Sequence, residues 1–300
     1  MCVFKTLPGN RLGFTEELHV IKFVTTVQFA GLKCDVEASS LPFAVFTFCT
    51  PPFSAWASIM WWTMLSPSEP WNLSLFTDPP PLSWELLSQA LSWQFLSVGH
   101  RGLDENQLAT LRDKLEGQHG SCGDYQVSWS KFLKENIPGK PFSFWAWLDF
   151  ILSLIKEHLT PLWNDNYIMG FVSKETERAL LKDREPGTFL LRFSESHLGG
   201  ITFTWVERGM DGEVKFNSVE PYTSNCLNWR LFANIIRDYK IFSDGVLNDL
   251  LKFLYPDIPK DEAFSRFYST QPQRPEPSEP PITPGEFESL SLDMEIISLI

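Results

Sequence analysis

Hydrophobic positions along the 300-residue chain keep three rhythms in succession. Up to residue 76 they gather in runs rich in branched and aromatic side chains, His19-Val-Ile-Lys-Phe-Val-Thr-Thr-Val-Gln-Phe29 and Phe43-Ala-Val-Phe-Thr-Phe48. Such runs suit strands. A helix-like run, Ala55-Trp-Ala-Ser-Ile-Met-Trp-Trp62, closes the segment. Two or three strands cannot bury both faces, so open edges are expected here.

From Asp78 to Leu162 the rhythm turns helical. Trp84, Leu87, Leu91 and Phe95 fall at three- and four-residue spacings, as do Leu108, Leu111 and Leu115. Between Phe142 and Leu162 one helical face collects Trp147, Ile151, Leu154, Ile155, His158 and Leu162. Pro79-Pro80-Pro81 and Gly117-Gln-His-Gly120 punctuate these runs. A compact helical module is predicted.

The segment 163–268 changes period again. Ser173 is placed to cap a helix over Lys174–Lys182. After Pro186-Gly187, the run Thr188-Phe-Leu-Leu-Arg-Phe-Ser194 reads as a strand. Ile201-Thr-Phe-Thr-Trp-Val206 and Val214-Lys-Phe-Asn-Ser-Val219 follow as two more, and a second helix is predicted through Leu227–Tyr239. Helix, three-stranded antiparallel meander, helix is an α+β sandwich. The last 32 residues carry six prolines between Pro272 and Pro284, and one base against six acids. That composition predicts disorder.

Charge and cysteine content narrow the function classes. Against 25 basic residues stand 37 acidic ones, a net charge of −12. A whole-chain electrostatic grip on nucleic acid is therefore disfavoured. The five cysteines (Cys2, Cys34, Cys49, Cys122, Cys226) form no metal-binding spacing and point to a reducing compartment. Nor do the five histidines, and GxSxG, HExxH and P-loop patterns are missing, so neither catalysis nor a cofactor is expected. Met1-Cys-Val-Phe-Lys5 does not read as a secretory leader. The uncharged stretch between Glu37 and Glu69 is cut by Pro51-Pro52. Each piece is too short for a spanning helix, which favours buried core over membrane insertion.

One strand carries the chemistry. Period two along Thr188–Ser194 puts Leu190, Arg192 and Ser194 on one face and Phe189, Leu191 and Phe193 on the other. An arginine there is costly unless an anion meets it, and its planar fork suits a phosphate. Ser194-Glu195-Ser196-His197 follows as a polar loop whose hydroxyls and amides suit an anion nest. Lys174 stands ready as a second positive charge. On the residues alone, an internal carboxylate partner for Arg192 and a plain hairpin turn remain the equal alternative.

Pro186-Gly-Thr-Phe-Leu-Leu-Arg-Phe-Ser-Glu-Ser196 resembles the hallmark strand of an SH2 domain, in the form found in signal transducers and activators of transcription, the STAT family. Thr15-Glu-Glu-Leu-His19, Leu91-Ser-Trp-Gln-Phe95, Lys134-Glu-Asn-Ile137, Ile168-Met-Gly-Phe-Val-Ser-Lys-Glu175 and Leu254-Tyr-Pro-Asp-Ile-Pro259 extend the resemblance over about residues 15–268. It implies an α+β multidomain chain. Residues 1–76 would be part of an immunoglobulin-like DNA-binding domain (with 1–14 unmatched), and 77–162 a helical linker domain. Residues 163–268 would be the SH2 domain, and 269–300 a disordered acidic tail like a transactivation segment. Lys174, Arg192, Ser194, Glu195 and Ser196 would form the phosphotyrosine pocket. The implied partners are phosphotyrosine motifs of cytokine receptors or of other STAT chains, and Janus kinases, with the chain acting in cytoplasm and nucleus.

The departures shape further expectations. The chain is expected to lack the family's N-terminal oligomerisation domain, its coiled coil and most of its DNA-binding domain. Where relatives place a base-contacting asparagine, Phe48 in Thr47-Phe48-Cys49-Thr50-Pro51 cannot hydrogen-bond a base edge, which argues against sequence-specific DNA binding. The last tyrosine is Tyr268, so the tail tyrosine used for reciprocal dimerisation is missing. Thr283, in Pro281-Ile-Thr-Pro284, occupies the family's tail phosphoserine position or is an ordinary proline-flanked threonine.

Overall fold

The structure, a computed structural model, describes residues 18–44, 52–65, 79–117, 125–209, 212–243 and 246–269. Met1–Phe14, Phe48 with its neighbours, and Thr283 lie outside these residues.

The first described strands are β1 (Leu18–His19), β2 (Lys22–Phe29), β3 (Leu32–Ser39) and β4 (Phe43–Ala44). The antiparallel β2–β3 hairpin turns at Ala30-Gly31, both at positive φ, the backbone that a tight two-residue turn between twisted strands requires. The register Phe23↔Ala38, Thr25↔Val36, Val27↔Cys34 and Phe29↔Leu32 gathers all the apolar side chains but Val24 on one face, yet every residue of both strands is exposed. The paired strands thus form no two-sided core of their own.

The apolar run beyond them folds inward. Helix α1 (Pro52–Leu65) starts on a proline, whose missing N–H costs nothing in the first turn. Its Ala57 and Trp61 are fully buried, and Trp61 lies on Trp129 and Phe132, with ring centroids 5.2 and 5.1 Å away. Among the described residues no helix is long and apolar enough to cross a membrane.

The helical module is built from β5 (Leu82–Ser83), α2 (Trp84–Val98), α3 (Glu105–Glu116), β6 (Gln126–Val127), α4 (Phe144–Leu154) and α5 (Thr160–Asn164). Ser83, Asp104 and Ser143 cap α2, α3 and α4 through their side-chain oxygens, and Asp104 with Gln107 completes a reciprocal capping box. Leu87, Leu91, Phe95, Leu111 and Leu115 are buried, as their spacing predicts. A π-helical turn, Ile155–Leu159, joins α4 to α5. Pro161 stands two positions beyond it and has no N–H to offer the i−4 carbonyl of Glu157, within the turn, which accounts for the widening. Of the predicted face, Trp147, Ile151, Leu154, Ile155 and Leu162 are buried. His158 is only partly so, and that burial holds its imidazole below the ordinary value against the opposing pull of Glu157.

The remaining elements are β7 (Ile168–Gly170), α6 (Lys174–Leu181), β8 (Thr188–Phe193), β9 (Ile201–Arg208), β10 (Val214–Ser218), α7 (Ser224–Leu227) and α8 (Phe232–Asp238). After them come β11 (Ile241–Ser243), β12 (Val246–Asn248), β13 (Phe253–Leu254), β14 (Ile258–Pro259) and α9 (Lys260–Phe264). The meander β8–β9–β10 is present, but its sheet has six strands. On the other edge of β8, β13 pairs in parallel with Thr188 and Phe189, while β7 pairs in parallel with Leu191 and Arg192. The single helix predicted over Leu227–Tyr239 is two short ones, α7 and α8, separated at 228–231.

Strand β8 is the hinge of the packing. Its Phe189, Leu191 and Phe193 enter one large core that runs without a break into the helical module. There Phe193 meets Trp163 and Phe171 at 5.7 and 5.2 Å, and Phe171 meets Trp147 at 5.2 Å. On its other face Leu190 joins a small core with Val172, Leu181 and Val206, closed by α6. The predicted period-two division of the strand holds, and helices cover both sheet faces.

Candidate functional site

Arg192 sits on the small-core face near the end of β8, with its side chain 7% exposed. An isolated charge at that depth would cost several kcal/mol or more. Its partner is Glu177, one of the two carboxylates projected by the α6 helix start together with Glu175. Oε2 of Glu177, itself 4% exposed, lies 2.5 Å from Nε of Arg192. The approach is off the hydrogen-bond axis of Nε, so the contact is a charge pair rather than an aligned bond. Nη1 of Arg192 also donates to the Phe193 carbonyl at 3.3 Å. The internal-carboxylate alternative is thus realised.

That loop begins where β8 ends. Ser194 is buried, and its amide donates to the Gly200 carbonyl at 2.7 Å, closing the turn. Oγ of Ser194 accepts from the amides of Ser196 and His197, both at 3.1 Å, and lies 3.2 Å from Oγ of Ser196. Oγ of Ser196 is 2.9 Å from Nδ1 of His197. The expected nest is therefore folded onto its own serine: these two amides serve Ser194 rather than pointing outward. An arriving phosphate would have to take over bonds that Ser194 now accepts.

Lys174 is the first residue of α6 and is exposed, one helical turn from Glu177. Ser173 caps that helix by accepting from the Thr176 amide at 3.1 Å. Among the predicted pocket residues, α6 and β8 thus bring Lys174 and Arg192 to one region, and the loop adds Ser194, Glu195 and Ser196 beside it.

Three contributors had no signal in the sequence pattern. Glu177 is one acid among several on α6. Lys114, near the end of α3, reaches the loop and pairs with Glu195 at 3.0 Å, with the two side chains 29% and 21% exposed. Trp147 of α4 donates its indole N–H to the Ser194 carbonyl at 2.8 Å. Glu175 beside them is held below the usual carboxylate range by its own amide and the Ser173 hydroxyl, with further help from the charges of Lys114 and Arg178. Among the described residues no group of three His, Cys, Asp or Glu side chains is placed to hold a metal.

A helix-flanked sheet with a buried arginine on its central strand, opening on a serine-rich loop, defines the class: an SH2 domain. The SH2 family model matches residues 163–239, and the model of the linker domain of signal transducers and activators of transcription matches residues 70–148. The chain belongs to the STAT family. It is 53% identical over 259 residues to human signal transducer and activator of transcription 4, covering 86% of this chain and 34% of that protein. The mouse protein of the same name is 52% identical over the same shares. The chain therefore spans about a third of the length of these relatives. Among solved structures, an inactive choanoflagellate E3 ubiquitin ligase Cbl TKB overlaps at a TM-score of 0.23 and 14% identity, over 62% of this chain and 48% of that one. So slight an overlap bears on nothing here.

Proposed function

We propose that this chain captures phosphotyrosine-bearing segments, with Arg192 as the principal phosphate ligand. Lys174 adds a second positive charge, and Ser194 and Ser196 supply neutral hydrogen bonds. Glu195 orients the loop rather than touching the dianion. The observation that carries this reading is Arg192 itself, nearly buried yet placed where β8 gives way to an open polar loop. A guanidinium held this way is already desolvated, so binding a phosphate costs little further dehydration while the charge-assisted bonds keep their strength.

In this reading the chain acts in cytokine receptor and Janus kinase signalling as a binding module rather than a catalyst, in cytoplasm and nucleus. Its partners are phosphotyrosine motifs of receptors or of other STAT chains. DNA belongs to the family's work, but Phe48 argues against base recognition by this chain. An adaptor or a dominant-negative regulator without DNA binding is the second form of the proposal, favoured by the same Phe48. The domain divisions at 76/77, 162/163 and 268/269 stand as part of the same reading.

Titration of the full chain with a fluorescent phosphotyrosyl peptide and its unphosphorylated counterpart is the test. Phosphate-dependent binding is expected, and Arg192→Ala is expected to abolish it. Arg192→Ala strands Glu177, so Arg192→Met with Glu177→Met serves as the folded control, because removing both members of a buried pair is often near neutral for stability. If that double variant is folded and still binds with parental affinity, the pocket assignment is wrong.

A further inference from the structure

The helical module does more than abut the SH2 body; it holds the phosphate loop at three separate points. Trp147 fixes the Ser194 carbonyl. Gly199, at φ +55°, lies so close to α4 that an added Cβ would stand 3.0 Å from the Phe150 carbonyl. Lys114 ties down Glu195. The first is a neutral hydrogen bond and the second a close steric approach. The third is electrostatic, and its position raises a specific problem for an anion site.

Glu195 sits in the middle of the loop that is to receive a dianion, and Glu175 stands at the start of the neighbouring helix. An uncompensated carboxylate there would repel the phosphate, and at partial burial the repulsion would be only weakly screened. The serine loop contains no cation of its own: Ser194, Glu195, Ser196, and His197 engaged with Ser196. Lys114 comes from a helix 81 positions earlier in sequence, pairs with Glu195 at 3.0 Å, and lies close enough to Glu175 to depress its titration as well.

We propose that Lys114 is a positioning residue of the phosphotyrosine pocket: it neutralises Glu195, so that the linker module sets the affinity of the SH2 domain for phosphate without touching the ligand. This rests on the phosphotyrosine reading above and adds the regulation of that same site. It makes a distinctive prediction, because a lysine that masks an acid matters only while the acid is there. Lys114→Ala is expected to weaken phosphotyrosyl-peptide binding about three- to tenfold in the parent chain. In a Glu195→Gln background the same substitution is expected to change affinity by less than about twofold. Lys114→Arg keeps the charge and is expected to retain parental affinity.

The measurement is a double-mutant cycle by fluorescence anisotropy on the full chain, with the unphosphorylated peptide as control and thermal unfolding recorded for each variant. Lys114→Gln stands in if Lys114→Ala fails to fold. Equal losses in both backgrounds would mean that the lysine meets the phosphate directly, and would overturn the masking role. No loss in the parent background would overturn it too, even with a lowered melting temperature. If the parent binds phosphorylated and unphosphorylated peptides alike, the phosphotyrosine reading itself has failed, an outcome distinguishable from either of the others.

Discussion

The pair Arg192–Glu177 sets up a trade between stability and affinity that a single isosteric change exposes. Glu177→Gln keeps the shape of the side chain and removes one negative charge from a site where both partners are nearly buried. At 2.5 Å and an effective dielectric of 20, the lost attraction is about 7 kcal/mol before desolvation is subtracted. Measured losses on breaking buried pairs are smaller, about 3–5 kcal/mol, since the stranded partner relaxes and recruits water. The amide oxygen of glutamine still offers Arg192 an acceptor, which places the expected loss near 3 kcal/mol. Binding should move the other way. With Glu177 neutral, the incoming dianion meets an arginine whose charge is no longer shared with that carboxylate, so affinity for a phosphotyrosyl peptide is expected to rise about three- to tenfold. Urea unfolding with and without peptide reads both quantities, because ligand stabilisation grows as RT ln(1 + [L]/Kd). A stability loss under about 1 kcal/mol together with unchanged affinity would refute the reasoning.

Two further outcomes follow from helix α4. Burial pushes the Asp149 carboxyl on α4 up to about 6. A group raised on folding contributes its full stability below its unfolded value and loses it as pH rises through the folded one. The parent is therefore expected to lose up to about 3 kcal/mol between pH 4 and 7, and Asp149→Asn to flatten that slope in a denaturation series across those pH values. Trp147→Phe removes the donor to the Ser194 carbonyl and is expected to cost about 1–3 kcal/mol in urea unfolding. Phosphopeptide affinity should fall with it, since the serine loop loses one anchor.

How much of this was legible in the sequence depended on the range of the interaction. The alternation along Thr188–Phe193 correctly divided β8 between two cores, because a fully buried strand still has only two faces. Caps such as Ser173 were readable for the same local reason. The edge partners of β8 were not: β7 and β13 are three and two residues long, too short for any period to register. Nor was the break at 228–231, where helical spacing runs on through Leu231 and Phe232. At the site, Arg192 announced itself as a charge in an apolar run, but its acid lay 15 positions upstream on another element. Lys114 and Trp147 were further still, and look like ordinary helix residues until the fold brings them to the loop.

The way β8 is shared between two cores has a consequence for how this segment can vary in length. Deleting or inserting one residue between Thr188 and Ser194 would rotate everything beyond it to the opposite side of the sheet. Arg192 would be driven among Trp163 and Phe171, and Phe193 would be turned toward α6 where the guanidinium belongs. Fold and recognition would fail together, from a change of three nucleotides. The strand that carries Arg192 is therefore a reading frame in the structural sense, tolerant of exchanged side chains of like character but not of a shift by one.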